Sequence, residues 1–440
     1  VGITVAKFGG SSLANADQFI KVQRIIAADP ARRYVVPSAP GKRNSSDRKI
    51  TDLLYLCHSH VAQDVPFDDV YRIIEERYLD IVKKLGIDLD LRSQLDEIKG
   101  KIAAGAPPDY TASRGEYLNG IIMAAYLGFE FVDPAGIIFF DRQGRLDEEK
   151  THAATRRKLS GIERAVIPGF YGSAADGKSV RTFSRGGSDI SGAIVARGVD
   201  ADMYENWTDV SGLLMASPTI VDNPRVIDVI TYRELRELAY MGANVLHDEA
   251  IFPVQEAGIP VKIKNTNRPE DAGTLIVRDA EPIVHRGNIT GIAGKKDFTI
   301  IVIEKALMNA ELGFGRKLLS ILEDNGISFE HMPTGIDTIS LVVADSFLEN
   351  KMDRIRREIQ TVCEPDSIEV YPHMALIATV GRGMAYTPGI AGKLFTALGS
   401  RDINIRMIDQ GSSEINIIIG VETRDFERAV RAIYDTFVAG

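Results

Sequence analysis

The stretch Ser184-Arg-Gly-Gly-Ser-Asp-Ile-Ser-Gly192 puts a guanidinium, paired glycines and a carboxylate within a few residues of one another. Arg185 offers a planar fork that matches a carboxylate or phosphate. Gly186 and Gly187 let backbone N–H groups turn toward an anion, and a helix starting there adds positive potential. Asp189 can hold an ammonium group. Cation, amides and anion together suit a zwitterion such as an amino acid; a capped turn with a surface ion pair would use the same residues. A second cradle begins the chain: a strand-like Ile3 to Phe8, then Gly9-Gly10-Ser11-Ser12, then a helix-like run from Ala14 to Ala28. Lys7 beside those amides fits polyphosphate charge. The plainer alternative is a strand–helix turn with a solvated lysine.

Other residues could join these. Tyr34 to Gly41 reads as a short buried strand opening into a loop at Ser38, followed by a basic segment from Lys42 to Lys49. Thr111-Ala-Ser-Arg-Gly-Glu116 opens a helix whose Glu116 either caps it or faces a pocket and binds an amino group. Asp202 to Trp207 is a strand ending at Thr208-Asp209, a hydroxyl and a carboxylate suited to nucleotide or Mg²⁺ contacts. Gly172-Ser-Ala-Ala-Asp-Gly-Lys-Ser179 matches GxxxxGK[ST], but Val180 to Phe183 looks extended and Asp176-Gly177 signals a hairpin, so no P-loop is expected. Cys57-His58-Ser-His60 lies in a helix-like run where alternate residues face different ways, so no metal site is expected there. Glu75-Glu76-Arg77 reads as a solvated helix face within a charged helical run from Asp68 to Leu95.

The elements that would carry these residues alternate strand with helix. Strands are expected at Phe129 to Asp133, Gly136 to Phe140, Arg164 to Phe170, Pro260 to Asn265 and Thr274 to Val277, and a helix from Tyr232 to Leu246. The pattern predicts an α/β domain with a mainly parallel sheet covered by helices, its ligand loops after strand ends. The chain is 440 residues, 45% apolar and 26% charged, with net charge −9. That length suits two or three domains, and that charge argues against nucleic acid or anionic membrane as a partner. No apolar run approaches the roughly 18 residues of a membrane span. VGITVAKFGG has no basic stretch ahead of a long apolar core, so no signal peptide is expected. Two cysteines, Cys57 and Cys363, fit a reducing compartment, hence a cytoplasmic location.

Beyond residue 281 an internal repeat appears. One constant shift carries Ile301 onto Ile377, Gly313 onto Gly389, Lys317-Leu318 onto Lys393-Leu394, Leu322 onto Leu398, Gly335 onto Gly411 and Ile339 onto Ile415. Each unit reads strand, glycine loop, helix, strand, turn, strand, helix, the ferredoxin-like βαββαβ pattern. The first unit ends with a strand at Ser367 to Tyr371, for which the second has no room. An upstream strand at Asn288 to Ala293 could fill that edge, which predicts an intertwined pair.

Taken together, Lys7-Phe-Gly-Gly10, Ser113-Arg-Gly-Glu116, Arg185-Gly-Gly-Ser-Asp189, Trp207-Thr-Asp209 and the tandem tail resemble the aspartate kinases, in order and over nearly the whole chain. The resemblance implies an amino-acid-kinase catalytic domain at 1–280, a first ACT domain at 298–370, and a second built from 281–297 and 371–440. It implies phosphoryl transfer from MgATP to the side-chain carboxylate of L-aspartate, at the start of lysine, threonine and methionine biosynthesis. Lys7 would neutralise the transferring group, with Gly9, Gly10 and Ser11 supplying amides. Arg185 would clamp the substrate α-carboxylate. Glu116 and Asp189 would face its ammonium or orient Lys7, and Thr51 and Ser188 would add hydrogen bonds. Ser38, Thr208 and Asp209 would fall on the nucleotide side. No metal ligand set is assigned.

One stretch departs from the family. Its usual Tyr-Thr-Ala-Asp-Pro-Arg-like run is Leu214-Met-Ala-Ser-Pro-Thr219 here, so the base-stacking tyrosine and phosphate-binding arginine are Leu214 and Thr219. Arg225 or Lys264 could compensate. The ACT pair implies feedback inhibition through a pocket at Met308, Glu311, Gly313, Phe314, Gly315, Glu330 and Thr334. Its two carboxylates favour a cationic effector, L-lysine over threonine. It also implies a homodimer or a dimer of dimers paired through ACT domains. The alternative is a catalytically weak ACT-based amino-acid sensor, which Leu214 and Thr219 favour and which Lys7, Glu116, Arg185 and Asp189 oppose.

Overall fold

The computed structural model describes residues 2–184, 186–243, 248–278, 289–411 and 413–439. The chain divides into two compact units. The first comprises Val1–Leu213, Val226–Tyr232 and Val245–Pro282; the second comprises Leu214–Arg225, Arg233–Asn244 and Ile283–Gly440.

The first unit is built on β1 (Thr4–Phe8), every residue of which is buried. A tight 3-10 turn at Gly10–Leu13 leads to α1 (Ala16–Ala28), whose first turn is capped by Asn15 accepting from the N–H of Gln18. β2 (Arg32–Pro37) precedes α2 (Ile50–Ala62), α3 (Asp68–Leu85) and α4 (Leu91–Ala103). The charged run from Asp68 to Leu95 is thus two helices. Gly86, at φ +65°, caps the first, and Asp90 caps the second by accepting from Ser93 N–H. After α5 (Pro108–Leu127) come β3 (Glu130–Phe131), α6 (Glu148–Leu159), β4 (Ala165–Val166), β5 (Tyr171–Ser173) and β6 (Val180–Thr182). Then follow α7 (Gly187–Gly198), β7 (Met203–Thr208), β8 (Val229–Thr231), α8 (Tyr232–Tyr240, of which 233–240 belong to the second unit), α9 (Phe252–Ala257), β9 (Val261–Asn265) and β10 (Thr274–Val277).

Eight strands form one sheet in the order β3-β4-β2-β1-β7-β9-β10-β8, parallel throughout except for β9 against β10. The chain moves outward from β1 through β2 and returns to β7 on β1's other side. The crevice at such a reversal opens at the carboxyl ends of β1, β2 and β7. Helices α1 to α5 cover one face with a continuous core. Ile74, Tyr78 and Ile81 of α3 and Leu91, Leu95, Ile98 and Ile102 of α4 recur at helical spacing and are buried with Ala6, Phe8 and Trp207. Each such side chain contributes about 1.5–3 kcal/mol.

Two local readings needed correction. Gly136 to Phe140 is no strand: Asp133 caps the N–H of Ala135 and starts a 3-10 turn at Pro134–Gly136, leaving isolated bridges at Phe139 and Phe140. Ser184 follows β6, which pairs with β5 in a separate hairpin and not in the main sheet. The GxxxxGK[ST] stretch is the turn of that hairpin. Asp176 accepts the N–H groups of Lys178 and Ser179, which hold its carboxyl down at about 2, and Gly177 takes φ +64°.

The second unit is a five-stranded antiparallel sheet, β12-β11-β13-β15-β14, made of β11 (Gly291–Glu304), β12 (Thr338–Ala344), β13 (Ser367–Val380), β14 (Met407–Asp409) and β15 (Asn416–Glu422). β11 and β13 run the length of the sheet. The upper half of β11, Gly291–Lys295, pairs with Leu376–Val380, and its lower half with β12 and the first residues of β13. Of the strand expected at Asn288 to Ala293, residue 288 lies outside the described residues, and the rest leads into β11. On the lower half, α10 (Phe314–Asp324) and α12 (Met352–Cys363) bury Leu318, Leu322, Ile355 and Ile359 against Ile301, Ile303 and Leu341; the short α11 (Asp345–Leu348) precedes α12. α13 (Ile390–Gly399) and α14 (Phe426–Tyr434) complete the unit, and Phe426 fits only because Gly294 has no side chain.

Two stretches expected within 1–280 pack with this second unit. Met215 O accepts from Ile292 N–H, Arg225 N–H donates to Tyr434 Oη, and the buried Glu234 of α8 accepts from Thr290 Oγ1 and Arg382 N–H. The expected helix from Tyr232 to Leu246 is described only as far as Tyr240; 244–247 lie outside the described residues.

Candidate active site

Lys7 is a buried lysine on the central strand, and its ammonium meets Asp189, in the first turn of α7, at 2.5 Å. Asn206 of β7 completes the cluster. It accepts from Lys7 Nζ at 3.3 Å and donates from Nδ2 to Asp189 Oδ1 at 2.8 Å. The glycine turn lies directly against this group. Gly9 N–H donates to Trp207 O, and a side chain at Gly9 would sit 3.7 Å from Lys7 Nζ. Gly10 needs its missing side chain, since a Cβ there would come within 2.9 Å of Ala39 O, and one at Gly41 would come within 2.5 Å of Gly10. The loop after β2 therefore closes on the loop after β1, joined by Ser38 N–H to Phe8 O and Gly41 N–H to Gly10 O.

Glu116 lies fully within α5, its backbone and side chain buried. Burial pushes its carboxyl up to about 8, against the pull of the Ala39 N–H, its own N–H and Arg114. Its Oε2 has no partner among the described residues. A buried carboxyl poised to ionise is what an incoming ammonium would exploit. Thr51 and Ser188 each stand second in their helices, the first half-buried and the second buried against Gly169. Ser11 lies in the 3-10 turn. Arg185 lies outside the described residues.

On the β7 side, Thr208 donates to Asp209 Oδ1 at 3.2 Å at the exposed strand tip. Lys264 does not present a free ammonium: it donates to Pro269 O and Asp271 O and lies over the Trp207 ring at 5.4 Å, and desolvation lowers its pKa. Arg225 packs in the second unit, so only Lys264 of the two compensating cations belongs to the first. Met215 is buried core, and Thr219 turns back to Ser217.

Four residues escaped sequence reasoning. Asn206 and Glu205 are polar residues inside a parallel strand, where apolar runs are the rule, and that was the signal. Arg77 is buried, not solvated. Helical spacing puts it beside Ile74 and Ile81, and its guanidinium donates to the carbonyls of Ala14, Gly41 and Arg48. Ser12 Oγ and Thr266 Oγ1 are 2.8 Å apart, tying the turn after β1 to the end of β9; Ser12 belongs to the cradle read from the sequence, but nothing local marks Thr266.

In the second unit, Met308 and Phe314 are core residues, Gly313 takes φ +80° as the cap of α10, and nothing lies within 4 Å of where a side chain at Gly315 would start. Glu311 is already paired with Lys305 at 2.6 Å and Lys317 at 2.5 Å. Glu330 accepts from Tyr240 at 2.5 Å, and Thr334 donates to Met332 O. By the repeat shift, the equivalent loop from Met384 to Ala391 lines a cavity of about 320 Å³ with Gln410 and Glu414.

Residues 2–265 match the amino acid kinase family, and residues 377–437 match an ACT domain. Aspartokinase 3 of Bacillus subtilis is 39% identical over 453 residues, covering 99% of both chains. The crystal structure of the Clostridium acetobutylicum aspartate kinase, described as an allosteric enzyme, is 59% identical, covers all of both chains and superposes with a TM-score of 0.91. Escherichia coli aspartokinase III, solved with aspartate and ADP and again with lysine and aspartate, shares the fold at 24% and 23% identity. Those two structures cover 99% of each chain, with TM-scores of 0.72 and 0.71. A paired lysine and aspartate between two glycine turns, on a full-length match to such enzymes, leaves one assignment: the chain belongs to the amino acid kinase family and is an aspartate kinase.

Proposed function

We propose that the chain transfers the γ-phosphoryl group of MgATP to the side-chain carboxylate of L-aspartate, giving 4-phospho-L-aspartate, and that L-lysine suppresses this through the second unit. The observation that carries the chemistry is the Lys7–Asp189 pair at 2.5 Å, held beside the amides of Gly9 and Gly10 at the carboxyl end of β1. Phosphoryl transfer asks mainly for positioning and charge neutralisation, and a carboxylate nucleophile needs no general base. Lys7 meets charge on the transferring group. Glu116 and Asp189 receive the substrate ammonium, and Arg185, by the family resemblance, its α-carboxylate. Thr208 and Asp209 offer a hydroxyl and one carboxylate, the modest donor set that Mg²⁺ takes when phosphates complete its shell. Magnesium there would supply charge neutralisation on the β- and γ-phosphates.

Regulation by lysine has less help from geometry than its two carboxylates promised. Glu311 has both carboxylate oxygens paired, with Lys305 and Lys317, and Glu330 accepts from Tyr240 through Oε2, so a cationic effector competes with those partners. Exposed apolar side chains on the same unit, Leu307, Leu312, Ile336 and Tyr386, support self-association through it. Among the described residues no helix is long and apolar enough to cross a membrane. The cytoplasmic reading rests on two free, buried cysteines.

The test is ADP release from MgATP with L-aspartate, repeated with L-lysine and with K7A. Aspartate-dependent turnover that lysine suppresses and K7A abolishes is expected. Turnover indifferent to aspartate overturns the substrate, and a flat lysine titration overturns the effector. Sedimentation checks assembly: a single monomer species at micromolar concentration, with and without lysine, refutes the dimer.

A further inference from the structure

Asn206 is the one uncharged member of the buried cluster at the catalytic pair, and the geometry gives it a task. On β7 it stands in register with Lys7 of β1, so the two side chains leave the sheet on the same face. It is 3% exposed. Its Oδ1 receives the Lys7 ammonium, and its Nδ2 donates to Asp189 Oδ1. The orientation of the carboxamide follows from charge. Turned over, it would set N–H against an ammonium and a carbonyl against a carboxylate, and both contacts would repel.

The same face of β7 grips Asp189 a second time. Tyr204, two residues earlier, donates from Oη to the backbone carbonyl of Asp189 at 3.0 Å. Its ring also lies where a side chain on Gly192 would be, which lets the first turns of α7 settle on the strand. Tyr204 therefore locates the main chain of Asp189 and Asn206 its carboxylate. The bonds to Lys7 and Asn206 both use Oδ1, so neither occupies Oδ2.

We propose that Asn206 is a positioning residue for phosphoryl transfer. It fixes Lys7 on its flexible four-carbon stem toward the transferring group, and it keeps Asp189 turned so that Oδ2 meets the substrate ammonium. The proposal rests on the reading that Lys7 faces the transferring phosphoryl group. A lysine with only a carboxylate partner can swing with it, whereas a third group bonded to both closes the triangle. A displacement of about 1 Å at a reacting centre can cost roughly a hundredfold in rate.

The experiment is steady-state kinetics on the full chain for N206L, N206D and the exchange variant N206D/D189N, with K7A alongside and thermal unfolding of each. N206L keeps the shape and removes both bonds. It should lower kcat roughly 10- to 100-fold per folded molecule, with KM for ATP nearly unchanged. N206D keeps an acceptor for Lys7 but sets two carboxylates together and should lose at least as much. The exchange variant restores one amide and one carboxylate beside Lys7, and should recover at least tenfold over N206D. Wild-type kcat in folded N206L overturns the proposal, as does a loss explained by unfolded protein or an exchange variant no better than N206D. Those outcomes with an inactive K7A leave the catalytic reading standing; an active K7A overturns both.

Discussion

Arg77 Nη1 lies 3.3 Å from Asp47 Oδ2, and both side chains are nearly buried. The same guanidinium donates to the carbonyls of Ala14, Gly41 and Arg48, so one side chain from α3 fastens the loop after β2 to the turn after β1. R77M would leave those carbonyls without their donor and Asp47 paired with Arg43 alone. A buried ion pair broken on one side costs about 3–5 kcal/mol, so denaturant unfolding should show a loss of that order. Turnover should fall in the folded fraction too, because Gly41 and Gly10 are in direct contact. A loss below about 1 kcal/mol would mean that Arg77 is not the fastening.

Acid should loosen the same loop. A hydrogen bond from Arg43, reinforced by the charges of Arg77 and Arg43, holds the Asp47 carboxyl well below the usual carboxylate range. A depressed carboxyl contributes stability that is present above its unfolded pKa, near 4, and lost as pH falls toward its folded value. D47N should therefore flatten the decline in stability below about pH 4. An identical acid limb in wild type and variant would exclude Asp47 as its source.

Much of this arrangement was legible in advance. Lys7, Gly9, Gly10 and Asp189 declare themselves because glycine pairs after strands have few other uses, and the repeat declares itself because its glycines align along with its leucines. Arg77, Asn206 and Thr266 were not legible, for a common reason. Each owes its role to a partner far away in sequence: Gly41, Lys7 and Ser12. A local window sees only a charged helix, a polar strand residue and a loop threonine. The pairing of the proposed effector carboxylates was hidden differently. Glu311 has the right charge, but its neighbours Lys305 and Lys317 fold back onto it, and side-chain pairing across a loop leaves no periodic trace.

If Glu116 receives the substrate ammonium as proposed, substrate binding is sensitive to pH. Its carboxyl, raised to about 8 by burial, is protonated near neutrality and must ionise to receive an ammonium. Binding therefore releases a proton, and KM for aspartate should fall as pH rises toward 8, by at most roughly tenfold per unit. E116Q cannot ionise and should show a higher, pH-independent KM. A wild-type KM flat between about pH 6 and 8 would remove Glu116 as the ammonium partner.

Tyr240 tests the effector reading. Its hydroxyl donates to Glu330 at 2.5 Å, and burial together with that carboxylate raises its pKa to about 12, so it stays a donor at physiological pH. A cationic effector that takes Glu330 competes with this bond. Y240F removes the competitor, and a hydrogen bond to a charged group is worth about 1.5–3 kcal/mol at most, less at a half-exposed residue. Lysine should then inhibit Y240F at roughly three- to tenfold lower concentration than wild type. The same inhibition curve for both would show that Glu330 is not where the effector binds.

Gly192 shows how closely the Asp189 carboxylate depends on strand packing. A side chain there would start 2.6 Å from the Tyr204 hydroxyl and within 2.9 Å of its ring, and Tyr204 is completely buried with no room to retreat. G192A must push α7 away from β7. Overpacking of this kind costs about 1–3 kcal/mol. The displacement also acts on Asp189, whose main chain Tyr204 holds and whose carboxylate Asn206 holds. G192A should therefore lose kcat beyond what its lowered stability explains, measured at a temperature where both proteins are folded. Y204F keeps the ring and gives up only the hydroxyl, so it should lose less of both. If G192A unfolds earlier yet turns over at the wild-type rate when folded, the packing of α7 on β7 serves stability alone.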